Sequence, residues 1–131
     1  MLVQPVAYSG GMIGTLDVIV FDCPDADALA DFYSEVLGMR KVAGDGDWIE
    51  LIGPQGRPIV AFQQVENYRA PEWPGQDVPQ QLHLDVRVDD LDIGEAAVLA
   101  LGATRTGSEE PTFRVYLDPA GHPFCLISPN D

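Results

Sequence analysis

The two halves of this chain repeat one another. Shifted against itself by 65 positions, the sequence places Asp25, Asp27, Pro54, Gly56 and Pro58 on Asp90, Asp92, Pro119, Gly121 and Pro123. The phrase Gly53-Pro54-Gln55-Gly56-Arg57-Pro58 returns as Asp118-Pro119-Ala120-Gly121-His122-Pro123. Self-similarity at this period means two modules of one design. A unit of about sixty residues buries too little surface to be secure alone. The halves are therefore expected to fold as one domain over residues 1–131, with module one at about 14–65, a linker at 66–79 and module two at about 80–128. A site between two such modules should be lined by matching positions from both.

Each half reads as the same order of elements. Residues 16–22 are rich in Val and Ile and form a strand expectation, broken by Pro24 and Asp25. From Ala26, the apolar residues Leu29, Phe32, Tyr33, Val36 and Leu37 recur at helical spacing, and Gly38 supplies a terminator. Three short strands follow at 40–43, 48–52 and 59–65, separated by Gly44-Asp45-Gly46 and by the Gly-Pro-Gln-Gly phrase. Module two predicts a strand at 81–88 and a helix through Leu101, opened by a capping-box spacing of Asp92 and Glu95 and ended by Gly102. Its last strands are expected near 104–106, 113–117 and 124–128. Leu37-Gly38 matches Leu101-Gly102 at a shift of 64, so one residue is lost in the second helix and regained before the final hairpin.

The linker holds Pro71, Pro74 and Pro79 without periodicity and predicts an ordered, extended connection. Tyr68 and Trp73 within it are candidates to pack over the core, across a cavity mouth or against a second copy.

Charge narrows the partners. Seven Lys and Arg against 21 Asp and Glu leave a net charge of −14, which repels phosphate backbones and anionic membrane surfaces. Nucleic acid and membrane are thus not expected, while the field favours a neutral or cationic ligand. Residues 1–12 lack a basic flank and resemble no signal peptide, and no apolar run has the length of a membrane span. The two cysteines, Cys23 and Cys125, are expected unbridged, in keeping with a reducing cytoplasm.

The repeated β-α-β-β-β order, Phe32-Tyr33 followed by Leu37-Gly38, the run from His83 to Asp92 and the phrase from Asp118 to Cys125 together resemble the vicinal oxygen chelate superfamily. That superfamily includes glyoxalase I, extradiol dioxygenases, fosfomycin-resistance transferases and bleomycin-resistance proteins. The chain is most similar to its small bacterial glyoxalase-like domains, over about 14–127. The resemblance implies an α+β fold: two βαβββ modules forming a half-open eight-stranded mixed sheet with helices on the outer face. It also implies that metal-dependent members take one ligand from the first and one from the last strand of each module.

Carried onto this chain, those positions are Val18 and Val60 in module one and His83 and Cys125 in module two. A one-residue slip would bring in Asp17, and a longer one Gln63. Two valines donate nothing to a metal, whose catalytic centres need about three or four protein donors. No metal and no cofactor are therefore expected, unless Asp17, Glu50, Asp85 or a second chain completes the shell.

Alternation along 81–88 sends Leu82, Leu84, Val86 and Val88 to one face and His83, Asp85 and Arg87 to the other. The polar three are expected in the concavity with Cys125, Val18, Val60 and Glu50, and with Trp48, Phe62 or Tyr116 as further walls. His122 sits in a turn, and Asp25, Asp90 and Asp92 at helix starts, so turn and cap roles account for them.

The expected function is metal-independent binding of a small molecule in the concave cleft. The alternatives are a lyase or isomerase using His83 as acid or base, and a metal-dependent glyoxalase or dioxygenase with an incomplete ligand set. A homodimer is expected, by likeness to the family.

Overall fold

The computed structural model describes residues 16–44 and 46–128; the stretch 1–15, Asp45 of the first turn phrase and 129–131 lie outside it. Its elements run β1 (Ile19–Cys23), α1 (Ala26–Leu37), β2 (Arg40–Ala43), β3 (Trp48–Ile52), β4 (Pro58–Gln64), β5 (Leu84–Arg87), α2 (Leu91–Ala100), β6 (Thr104–Glu109), β7 (Phe113–Leu117) and β8 (Pro123–Ile127). The two βαβββ modules are there. Their strands form two four-stranded mixed sheets, ordered β1-β4-β3-β2 and β5-β8-β7-β6, rather than one continuous eight-stranded sheet. In each, the first and last strands pair in parallel and the rest antiparallel.

Local chemistry sets the elements. Asp25 caps α1 by accepting from the Ala28 amide at 3.0 Å, and Gly38, at φ 66°, closes it in the left-handed region that glycine tolerates. Leu29, Phe32 and Tyr33 on one stripe of α1 are buried. α2 begins one residue before the expected capping box. Asp90 is its cap, accepting from the Ile93 amide at 2.9 Å, while Asp92 holds Arg114 and Glu95 accepts from the Tyr116 hydroxyl. The box is not formed because Asp92 lies within the first turn, and both of the box carboxylates engage β7 instead. The strand expected at 81–88 is shorter, and Leu82, expected under the helices, is 73% exposed.

The turn phrases fold alike. Gly53 N donates to Arg57 O and Gly56 N to Gly53 O; Asp118 N donates to His122 O and Gly121 N to Asp118 O. The strands that follow differ by one residue. Leu51 pairs with Val60 but Ile52 with Pro58, so Ile59 is an extra residue bulged from β4, whereas β8 pairs with β7 without interruption.

One core spans both modules. Tyr33 of α1 packs against Phe62 of β4 and Phe124 of β8, and its hydroxyl donates to buried Asp118 at 2.7 Å. That carboxylate also accepts from the Ala120 and His122 amides. Burial nevertheless dominates and pushes the Asp118 carboxyl above its ordinary range. Cys23 and Cys125 are both free and buried, as expected.

Candidate functional site

β5 carries the polar chemistry on its solvent face. Leu84 and Val86 pack toward the core while Asp85 and Arg87 are exposed, and His83, one residue before the strand, is exposed with them. Across the parallel pairing, Asp85 stands beside Cys125 of β8, which in turn faces Val115 of β7. His83 Nε2 lies 3.2 Å from Asp85 Oδ1, and the ligating atoms of His83, Asp85 and Cys125 all fall within 4.8 Å of one another. Arg87 has no ion pair among the described residues.

The three groups differ in what they can do. A carboxylate against an imidazole fixes the ring, and an imidazole so held can give or take a proton from a bound molecule. Burial, then the nearby Asp85 carboxylate, pushes the Cys125 thiol up to about 11. It is thus a neutral thiol near pH 7 and not a ready nucleophile.

Module one places different residues on the corresponding face. Register pairs Val20 with Ala61 and Asp22 with Gln63 across β1 and β4, and Ala61 with Glu50 and Gln63 with Trp48 across β3. Trp48 Nε1 donates to Glu50 Oε2 at 3.0 Å. Val18, just before β1, shares this face by alternation and is half-buried. Gln63 is exposed here as well, while Asp17 lies beside Leu16, Pro54 and Arg57 at a shallow cavity of about 350 Å³.

Three expected wall residues lie elsewhere. Val60 and Phe62 belong to the core with Leu51 and Leu29, on the helix side of their sheet. Tyr116 also faces the helix side, packing on Phe124 and donating to Glu95 of α2 at 2.8 Å. The Ile59 bulge explains Val60: the residue beside β1 that matches Cys125 beside β5 is Ala61. Among the described residues, no hydrogen bond or ion pair joins the Trp48–Glu50 pair to the His83 group.

A metal-dependent relative would use a donor from each module. Val18, Val20 and Ala61 offer none, and the trio in module two is one imidazole, one carboxylate and one thiol. These residues do not fit a four-ligand centre for a hard divalent ion.

A cavity of about 490 Å³ that was not located from the sequence lies at the seam between the modules. It lies between β1 and the linker, and its lining includes Tyr68, Leu82 and His122. His122 Nε2 is 2.7 Å from the Asp22 carbonyl oxygen and 3.2 Å from the Tyr68 hydroxyl, which itself donates to the Ala120 carbonyl at 2.9 Å. Two signals pointed there: an aromatic in a proline-rich linker, and a histidine where the other copy of the phrase has Arg57.

A family model described as a glyoxalase-like domain matches residues 18–127. No curated protein sequence matches the chain. Among solved structures, a glyoxalase/bleomycin resistance protein/dioxygenase family enzyme from Burkholderia phytofirmans is similar at 18% identity and TM-score 0.62, covering 86% of this chain and 96% of its own. The fosfomycin resistance protein FosX from Listeria monocytogenes is similar at 15% identity and TM-score 0.64, covering 89% and 93%. A mutant of that FosX was solved with manganese(II) and 1S,2S-dihydroxypropylphosphonic acid. A glyoxalase-related enzyme from Fulvimarina pelagi is similar at 20% identity and TM-score 0.62, covering 88% of each chain.

Proposed function

We propose that this chain, which belongs to the glyoxalase-like domain family of the vicinal oxygen chelate superfamily, binds a small polar molecule on the open face of β5 and β8 without a resident metal ion. The observation that carries this reading is the grouping of His83, Asp85 and Cys125 within 4.8 Å on one module, opposite a module with no donors at the matching positions. His83 and Asp85 orient the ligand by hydrogen bonds, Arg87 offers a fixed positive charge, and Cys125 with Val115 forms the apolar floor. A net charge of −14 favours neutral or cationic compounds in solution.

A second reading rests on the His83–Asp85 contact at 3.2 Å. An imidazole oriented by a carboxylate is equipped to move a proton, which makes a lyase or isomerase step on a small metabolite the alternative. A thermal-shift screen of metabolites and drugs against the native chain and His83→Ala separates the two. Ligands that stabilise the native chain, lose that effect in the variant and emerge unchanged support binding. Turnover that disappears in the variant supports the enzyme, and ligand binding indifferent to His83 overturns both.

We also propose a homodimer. It rests on likeness to the family; Leu16 and Ile93, 74% and 70% exposed, are candidates for cover by a second copy. A monomeric mass in solution would contradict it.

A further inference from the structure

We propose that the seam cavity is a second binding site, for a small amphipathic amine. At about 490 Å³ the cavity has the size of a ligand pocket, and none of His83, Asp85 and Cys125 lines it. Val20, Val65 and Leu82 make apolar walls.

Two acceptors without donors belong to residues that line the same space. The first is His122. The Asp22 carbonyl can only accept, so the ring nitrogen facing it at 2.7 Å carries a proton. The Tyr68 hydroxyl gives its own proton to Ala120 and supplies none to the ring. Nδ1 has no hydrogen-bond partner among the described residues, and in the neutral imidazole it is an acceptor. The second is the Asp22 carboxylate, which has no ion pair among the described residues. Gln80 also lines the cavity, but its Oε1 is buried, with no hydrogen-bond partner among the described residues, and does not face the open space.

An occupant that answers both brings N–H donors and positive charge on an apolar body. An ammonium has three donors and no acceptor, and the net charge of −14 attracts it. The lining holds one basic side chain, Arg69, and it is exposed. A carboxylate drawn to Arg69 would meet Asp22 and the same unfavourable field.

Calorimetric titration of the full chain with benzylamine, benzyl alcohol and benzoate tests this. Benzylamine is expected to bind saturably, one per chain, and benzoate not at all. Asp22→Asn and His122→Gln should each weaken benzylamine about three- to tenfold, the loss of one charge or one hydrogen bond in a site open to solvent. His122→Gln keeps an N–H for the Asp22 carbonyl while removing Nδ1. If that variant fails to fold, Leu82→Trp, which fills the cavity from an exposed position, should abolish binding instead. His83→Ala should leave binding unchanged, which separates this site from the open face of β5. Benzoate binding as tight as benzylamine, no saturable binding up to about 10 mM, no effect of Asp22→Asn, or loss in His83→Ala would each overturn the proposal.

Discussion

Module one and module two share an element order, a turn and a pair of parallel strands, yet their solvent faces carry different chemistry. Beside the parallel pair, module one shows Val18, Val20 and Ala61 where module two shows His83, Asp85 and Cys125. A second difference lies in how the helices are held. α1 buries Leu29, Phe32 and Tyr33, whereas α2 buries only Val98 and is tied to β6 and β7 by Glu95 and Asp92. A repeat therefore preserves the scaffold while leaving each copy's surface free to change. The half built on aromatic packing presents apolar residues at the positions where the half built on polar ties gathers His83, Asp85 and Cys125, while Asp22 and Glu50 stand at other positions of the first half's face.

The largest effect should come from the turn. Asp118→Ala removes a 3% exposed carboxylate that accepts from Tyr33, Ala120 and His122, and should cost about 3 kcal/mol in denaturant unfolding. Its counterpart Gly53 has no such partners. There a side chain would place its Cβ 2.1 Å from Cδ1 of exposed Ile59, the far end of a side chain free to turn aside, so Gly53→Ala should cost about 1 kcal/mol or less. A cost for Asp118→Ala no greater than that of an exposed site would break the idea that the Tyr33–Asp118 hydrogen bond helps to hold the two modules together.

Next comes the pair that numerical alignment equates. Val60→Ala opens a core cavity and should cost about 2 kcal/mol, while Cys125→Ala, at a position outside that core, should cost about 1 kcal/mol or less. Equal losses would mean that the two positions are equivalent after all.

This pair also marks the boundary of what the sequence made legible. Helix α1, strands β2, β3 and β7, and the alternation of Asp85 and Arg87 against Leu84 and Val86 followed from periodicity and turn residues, because each is decided within a few neighbouring positions. Val60 did not, since a bulge adds a residue without changing the composition of the strand, and one added residue swaps faces. Tyr116 turned to the helix side because Glu95 offers its hydroxyl an acceptor, a contact across 21 positions that no local pattern displays. The length of β5 was overstated because the apolar signal of Leu82 belongs to the seam.

A smaller effect concerns Cys125. Its thiol, pushed up to about 11, should react with iodoacetamide more slowly than free cysteine at pH 8, with the rate climbing as pH approaches that value. The folded value exceeds the unfolded one, so any stabilisation from this thiol is complete below the unfolded pKa and declines as pH rises through the folded one. A thiol that reacts as fast as free cysteine would give module two a nucleophile and sharpen the enzyme reading.

The smallest effect should be at Glu95. The Tyr116 hydroxyl, then Arg105 and Arg114, hold its carboxyl below the ordinary range. Its stabilisation is thus present above the unfolded carboxylate pKa and is lost as pH falls through the folded value. Urea midpoints taken from pH 6 to pH 3 should fall less steeply in Glu95→Gln, by a few tenths of a kcal/mol. An identical slope would remove the polar tie from the account of α2.

Metal content tests the contrast between the modules most directly. Zinc, manganese, nickel and iron should each be well below one ion per chain after purification without chelators, and added manganese(II) should leave the melting temperature unchanged. One tightly held ion per chain, released by His83→Ala, would contradict the account, because it would require the valine face of module one, or a second copy, to supply the donors that this reading denies.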